Sequence, residues 1–540
     1  MSEKVNTLLN DLTLEEKVGQ TLCWNVAGRP LRQIEKTLKT YPVGSVFHAY
    51  ARSDYTRRVT ELADRVLKTP IITCMDLVNG AGCRLQTEST LFPWQLAVGA
   101  ADDESLAEEM GRITAREARA AGVHWTFGPI VDLSYNRDNP MMHMRTFGQD
   151  PERVTRMARA FIRGAQRERL IAATAKHFPG DGIDDRDSHI CTSINSLDEE
   201  EWFDKYGYVW KSVIEEDVWA VMSGHIALPW IDPADNYLGP RPATLSHKIQ
   251  VELLKERLGF EGVIISDAIP MIGFCSHGPF EELVPENIAS GSDMVLWAEP
   301  ERDMPAVLKA VEEGKLSEER LNDAVRRVLT LKEKLGLLDN SVTVPEVSEE
   351  QRIEYAAVAN KMGEKSITIV RDELNQLPVH IQPGAEVLTV TCQFHEPVRG
   401  VVQELTHVDN ELRSRGFHVT HLLNPNIEQL RQTIRNFDHV SINLHFPPRY
   451  GTVKLYGSVA MMFWSGFWHG HPSVTFTSFG DPNKLWEMPY LPNYINCYSN
   501  TPSSQKAAVR VWLGEIPAVG KTPISLEGFF KVETTTAGAE

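Results

Sequence analysis

The chain has 540 residues, too many for one hydrophobic core, so two or three domains are expected. Its formal net charge of −18 excludes nucleic acid or an anionic membrane face as natural partners, since both call for a basic surface. No apolar stretch approaches the ~20 residues of a membrane span, and Met1-Ser-Glu-Lys4 opens a polar amphipathic segment, not a secretion signal. The seven cysteines are scattered without a C-x-x-C pair, which gives no disulfide framework or zinc site and makes the cytoplasm the expected compartment.

Taken in order, the chain begins with a capping box, Thr13-Leu-Glu-Glu16, that opens a helix. A rhythm follows. Short β-branched runs predict strands near 20–24, 43–48, 70–75, 123–127, 171–176, 218–223, 262–266 and 292–297. Helical patterns between them are clearest at 102–120, 151–168, 198–215, 246–257 and 317–335. Eight strands alternating with helices over residues 1–338 fit a (β/α)8 TIM-like barrel. An open doubly wound sheet is the alternative, but no Gly-rich phosphate turn follows the first strand.

Residues 339–350 turn polar and aperiodic, and read as a linker. Beyond it, residues 351–540 carry a helix at 350–363 and strands at 366–370, 386–391, 417–421, 438–444 and 473–478, with helices near 399–414, 426–436 and 503–513. This predicts a second α/β unit, a layered sandwich with helices on both faces. The tail 534–540 reads as frayed.

The polar residues at the strand ends carry the chemistry. Asp76 follows the third strand, Asp132 the fourth, Lys176 and His177 the fifth, His225 the sixth and Asp267 the seventh. In a barrel all these positions face one mouth. The stretch Ala173 to His189 is the richest. An apolar strand delivers Lys176-His177, breaks at Pro179-Gly180, and a loop then presents Asp187 and His189 two apart. A carboxylate on one imidazole nitrogen leaves the other to serve as proton donor near neutral pH. Glycoside cleavage with retention needs such a donor and a nucleophilic carboxylate. His189 is the expected donor, Asp187 its partner and Asp267 the nucleophile. Lys176, His177, Arg145 and Asp76 are expected to hold sugar hydroxyls. Each also has a plainer reading: Asp267 as a helix N-cap, Arg145 as a loop ion pair to Asp150 or Glu152, Asp132 as a structural carboxylate. Asp181, Asp184 and Asp185 lack the spacing of a calcium loop, and no metal or cofactor is expected.

The motifs Leu12-Thr-Leu-Glu-Glu-Lys-Val-Gly-Gln20, Arg145-Thr-Phe-Gly148, Lys176-His-Phe-Pro-Gly180 with Asp187-Ser-His189, and Ile265-Ser-Asp267 resemble glycoside hydrolase family 3, and most closely its β-N-acetylglucosaminidase branch. The resemblance extends to Phe479-Gly-Asp-Pro482 and Leu513 to Pro523, which look like that family's C-terminal sandwich domain. It implies His189 as acid/base, Asp187 as its partner, Asp267 as nucleophile, and Asp76, Arg145, Lys176 and His177 as sugar-binding residues. Three departures stand out: Asp181 where the family often has His, Asp76 to Thr87 in place of an acidic-Gly-Gly-Arg segment, and Ala268-Ile-Pro-Met271 after the nucleophile. The implied activity is exo-acting release of terminal N-acetylglucosamine from oligosaccharides by double displacement. A β-N-acetylglucosaminide phosphorylase and a β-glucosidase or other β-glycosidase are alternatives within the class. A silent sugar-binding protein is the alternative outside it.

Overall fold

The computed structural model describes residues 2–85, 89–234, 239–394, 404–447, 454–455, 457–464 and 466–532. Two compact units emerge. The first comprises residues 1–90, 107–132 and 158–353; the second gathers 91–106, 133–157 and 354–540. The division expected from the sequence was contiguous, with a linker at 339–350. Instead, two N-terminal segments group with the C-terminal part. Their anchorage is specific. The Trp94 N–H donates to Ser499 Oγ at 3.2 Å, Lys521 Nζ reaches Asp102 at 2.9 Å, and the Gln149 amide exchanges two hydrogen bonds with Ser525.

In the first unit a separate parallel pair, Ser193–Ile194 with Ile226–Ala227, stands apart from eight strands that alternate with helices: β1 Leu22–Asn25, β2 Ser45–Phe47, β3 Ile72–Met75, β4 Trp125–Thr126, β5 Thr174–Phe178, β6 Ala220–Ser223, β7 Val263–Ser266 and β8 Val295–Ala298. These eight pair in parallel, in two ladders: β8-β1-β2-β3-β4 and β5-β6-β7. Single bridges join the ladders, Trp125 to Ala172 and Ile130 to Lys176 on one side, Ile265 to Met294 on the other.

The strand period of two explains which side chains share a face. Cys23, Phe47, Ile72, Cys74, Trp125, Ala172, Ala220, Met222, Val263, Ile265, Met294 and Leu296 form one buried cluster drawn from every strand or its entry. Two residues beyond Cys74, Thr174 and Ile265 along the same alternation stand Asp76, Lys176 and Asp267. One face and one end of the parallel strands therefore carry an acid, a base and a second acid. The other strand face and the flanking helices supply a larger apolar cluster, including Val18, Ile34, Val59, Val284, Val325 and Leu329.

The opening helix starts as its sequence requires. Thr13 Oγ1 accepts from the Glu16 N–H at 3.2 Å, and Glu16 Oε2 accepts from the Thr13 N–H at 2.9 Å. The helix ends in Gln20, whose amide donates to Thr69 Oγ1 and accepts from the buried Lys332 Nζ at 2.5 Å. The expected 246–257 helix forms as a π-helix over Lys248–Arg257, and the 198–215 helix contains a π turn at Phe203–Gly207. Helices Leu31–Thr40, Ser53–Val66, Phe280–Ala289 and Pro300–Glu312 complete the alternation.

The second unit holds six strands: β9 Thr368–Asp372, β10 Glu386–Gln393, β11 His418–Leu423, β12 His439–His445, β13 Val474–Ser478 and β14 Asn493–Asn496. Their order is β9-β14-β13-β12-β10-β11, parallel except for β9. Apolar clusters cover both faces, one around Val390, Ile442 and Phe476 and one around Val387, Val408 and Ala508. Strand β14 was not anticipated, because Asn-Tyr-Ile-Asn is short and bounded by strand-poor residues. Residues 534–540 and part of the 399–414 helix lie outside the described residues. No described helix is long and apolar enough to cross a membrane.

Candidate active site

The loop that carries Asp187 and His189 leaves β5 and is fastened at its root. The indole N–H groups of Trp202 and Trp210 both donate to the Pro179 carbonyl, at 3.1 and 3.2 Å, and the Tyr206 hydroxyl donates to the Asp181 carbonyl at 2.7 Å. Gly180, at φ +124°, lies so close to the Tyr206 ring that a Cβ would stand 2.1 Å from it. Only glycine fits there. Further along, the Asp184 carboxylate takes the Arg186 guanidinium and the Ile194 N–H, which folds the loop on itself.

At its far end the loop presents the expected pair. Asp187 Oδ1 lies 2.8 Å from His189 Nδ1 and accepts the His189 backbone N–H at 2.9 Å. Asp187 is buried, while the His189 side chain is 32% exposed. The carboxylate fixes the proton on Nδ1, so Nε2, on the far side of the ring, is the nitrogen that can exchange a proton with a substrate.

Asp267 stands at the end of β7. Its backbone N–H donates to the Ser223 carbonyl at 2.8 Å, and Oδ1 accepts the Ala268 N–H at 2.7 Å. It caps no helix, since the next one begins at Ile272 behind Met271. Burial works to raise its pKa, but His177, His225, the Ala268 N–H and Lys176 together lower it to about 2. The charges that set this value come from β5 and from the β6 end, so the strand-end residues converge electrostatically on Asp267. His225 itself holds the backbone next door. Its Nε2–H donates to the Ala268 carbonyl at 3.0 Å, and Nδ1 pairs with Thr244 Oγ1 at 3.0 Å. Burial depresses its pKa.

Lys176 Nζ meets Asp76 Oδ1 at 2.8 Å, joining two of the expected sugar-binding groups across β3 and β5. His177 is held by a residue that sequence reasoning set aside. Asp132, fully buried, accepts the His177 N–H at 3.2 Å, the His177 Nδ1–H at 2.7 Å and the Asp181 N–H at 2.7 Å. One carboxylate thus pins both ends of the Lys176–Asp181 turn. Asp132→Asn turns an amide N–H toward these donors. It should cost about 1–3 kcal/mol of stability and lower kcat/KM by roughly 10²-fold, measured by thermal unfolding and steady-state kinetics. An unchanged kcat/KM would make Asp132 a purely structural carboxylate.

Arg145 belongs to the second unit, where its guanidinium donates to the Met141 carbonyl at 3.2 Å. The described residues hold no group of His, Cys, Asp and Glu that could bind a metal ion.

The Asp187–His189 loop and the segment after Asp267 are locked together. The Ile272 N–H donates to the His189 carbonyl at 3.1 Å, and the Thr192 hydroxyl reaches the Gly273 carbonyl at 3.0 Å and His277 Nε2 at 2.9 Å. Gly273 makes this approach possible, because a Cβ there would meet the Ser188 and Cys191 carbonyl oxygens at 2.8 Å and the His225 Cβ at 2.9 Å. Gly273→Ala must push the His189 loop outward. It should destabilise by about 1–3 kcal/mol and slow substrates with poor leaving groups by on the order of 10²-fold. Equal kinetics for wild type and variant would show that the loop absorbs the methyl without moving His189.

A family model, the glycosyl hydrolase family 3 N terminal domain, matches residues 13–331. The chain belongs to that family. It is similar to a beta-N-acetylglucosaminidase/beta-glucosidase of Cellulomonas fimi, 29% identical over 552 residues that cover 96% of this chain and 95% of the relative. Among solved structures, a beta-glucoside phosphorylase, BglX bound to 2FGlc, superimposes with a TM-score of 0.87 at 30% identity, covering 97% of each chain. A family 3 beta-N-acetylglucosaminidase from Paenibacillus sp. str. FPU-7 gives a TM-score of 0.85 at 25% identity, covering 97% of this chain and all of the other.

Proposed function

We propose that the protein is a retaining exo-β-N-acetylglucosaminidase acting on terminal N-acetylglucosamine of oligosaccharides. The observation that carries this reading is the Asp187–His189 pair, tied through the His189 carbonyl and Ile272 N–H to the segment that follows Asp267. Asp267 attacks the anomeric carbon as the His189 Nε2–H protonates the departing oxygen, leaving a glycosyl ester on Asp267. Asp187 steadies the imidazole through the cycle, and neutral His189 then takes a proton from the incoming water. Lys176, Asp76 and His177 hold the sugar hydroxyls. This reading includes closure of strands β1 to β8 into a (β/α)8 barrel. Support comes from the bridges at Trp125–Ala172 and Ile265–Met294 and from the single interior cluster.

A second reading is favoured by the likeness to the beta-glucoside phosphorylase, which spans nearly the whole of both chains. Phosphate then replaces water in the second step, and glucose replaces N-acetylglucosamine. A neutral imidazole repels an incoming anion less than a carboxylate does.

One experiment separates them: turnover of an aryl β-N-acetylglucosaminide against the matching aryl β-glucoside, with and without phosphate. The first reading expects a preference of at least about tenfold for the N-acetyl sugar and free sugar as product. A preference for glucose together with glucose 1-phosphate as product would overturn it in favour of the second.

A further inference from the structure

Strand β8 breaks its own alternation at Trp297. Its register on β1 pairs Val295 with Leu22 and Leu296 with Cys23, then jumps to Ala298 opposite Trp24, so Trp297 is the extra residue of a β-bulge. Its φ of +63° lies in the left-handed region, where a tryptophan is strained. The bulge turns the side chain inward. Val295 and Ala298 join the outer apolar cluster, while Leu296 and Trp297, neighbours in sequence, both pack against the interior one. Strict alternation would have sent Trp297 outward.

The turned-in ring lies beside Asp267. The Leu296 carbonyl, in the peptide bond that leads into Trp297, accepts the Ile269 N–H at 3.2 Å, and Ala268 belongs to the interior cluster on which Trp297 packs. The ring rests against buried Phe47 of β2, centroids 5.5 Å apart, and stays partly open to solvent. Asp76, Lys176 and Asp267 stand on this same face at this same end of the strands. Folding alone does not ask for tryptophan here. Glycine suits the φ, and the indole N–H is buried without a hydrogen-bond partner among the described residues. Backbone strain and an orphaned donor at one residue, next to a strand-end carboxylate, mark a role outside folding.

We propose that Trp297 is the platform for the terminal sugar: the ring that Asp267 attacks lays its C–H face on the open part of the indole, while Asp76, Lys176 and His177 take its hydroxyls. This rests on the assignment of Asp267 as nucleophile. A pyranose is polar at its rim and apolar on its face, so a site that holds it needs both kinds of surface. Trp297 then determines affinity for the sugar and is indifferent to the leaving group.

The test uses the full-length protein and the free sugar it releases, N-acetylglucosamine or glucose, as a competitive inhibitor of aryl glycoside turnover. The inhibition constant Ki does not depend on how much of a variant is folded. Trp297→Leu should raise Ki about tenfold, and Trp297→Phe, which still offers an aromatic face, about two- to threefold. In each variant kcat/KM for an aryl and an alkyl glycoside of the same sugar should fall by one common factor. A merely structural role would lower the unfolding temperature and leave Ki where it is, so an unchanged Ki in Trp297→Leu overturns the platform. A loss as large in Trp297→Phe as in Trp297→Leu overturns it too, because the aromatic face would then count for nothing. So does a loss confined to one leaving group, which would set the ring beside the aglycone. If Asp267→Ala turns over at the wild-type rate, the nucleophile assignment fails first, and that outcome is distinct from an unchanged Ki with Asp267 essential.

Discussion

Asp267→Ala will reduce turnover of every glycoside by roughly 10⁴-fold or more, and azide will restore part of the rate by forming the α-glycosyl azide. In the proposed mechanism this carboxylate forms the glycosyl ester, and the strand that precedes it, Val263–Ser266, is fully buried and fixes its position. Azide enters the space left by the carboxylate and attacks the same face of the anomeric carbon, so its product has inverted configuration. A variant that retains wild-type rates, or a rescued product of β configuration, would remove Asp267 from the nucleophile's place. The charge balance adds a pH expectation. A carboxylate held at about 2 in the folded protein is ionised throughout the working range. Its folded-state pKa lies below the usual carboxylate value, so it stabilises the fold above that usual value, and the contribution is lost as pH falls toward 2. The acid limb of the pH–rate profile above about pH 3 therefore belongs to other groups. A silent sugar-binding protein would show no activity for the substitution to remove.

His189→Ala will separate substrates by their leaving groups. Alkyl glycosides and oligosaccharides, whose departing oxygen needs a proton, should lose about 10²–10⁴-fold; an aryl glycoside with an acidic phenol should lose far less in its first step. Asp187→Asn should follow the same pattern more weakly, because the amide still orients the ring but no longer stabilises the imidazolium. Both are read from kcat/KM on a matched pair of substrates. Equal losses on both members of the pair would assign His189 a positioning role and move the proton donor elsewhere.

The strands were legible because each is a short β-branched run bounded by breakers, as in Val263-Ile-Ile-Ser266, and period-two alternation then places Asp76, Lys176 and Asp267 on one face. The Asp187–His189 pair was legible because its members are two residues apart. Asp132 was not. Its partners lie 45 and 49 residues downstream, and nothing around it in the chain distinguishes it from a structural carboxylate. Gly273 was equally silent, since its need for a bare Cα arises from the carbonyls of Ser188 and Cys191, far away in sequence. Helices Leu31–Thr40 and Ser53–Val66 were passed over because the clearest helical patterns lay elsewhere, and their buried faces are set by the strands they cover. The compact units follow non-local packing too, and a polar stretch such as 339–350 marks only where the chain is unpatterned.

That division bears on how the molecule comes apart. The chain passes from one unit to the other at residues 90–91, 106–107, 132–133, 157–158 and 353–354. A protease cutting in the exposed stretch between Leu338 and Glu349 would sever the backbone without freeing two fragments, because the N-terminal piece keeps the Trp94, Asp102 and Gln149 anchors that dock on Ser499, Lys521 and Ser525. The nicked protein should elute as one species on a sizing column and fall into two bands only in denaturant. By the same logic, a gene truncated after residue 353 encodes residues 91–106 and 133–157 without the C-terminal segments they pack against.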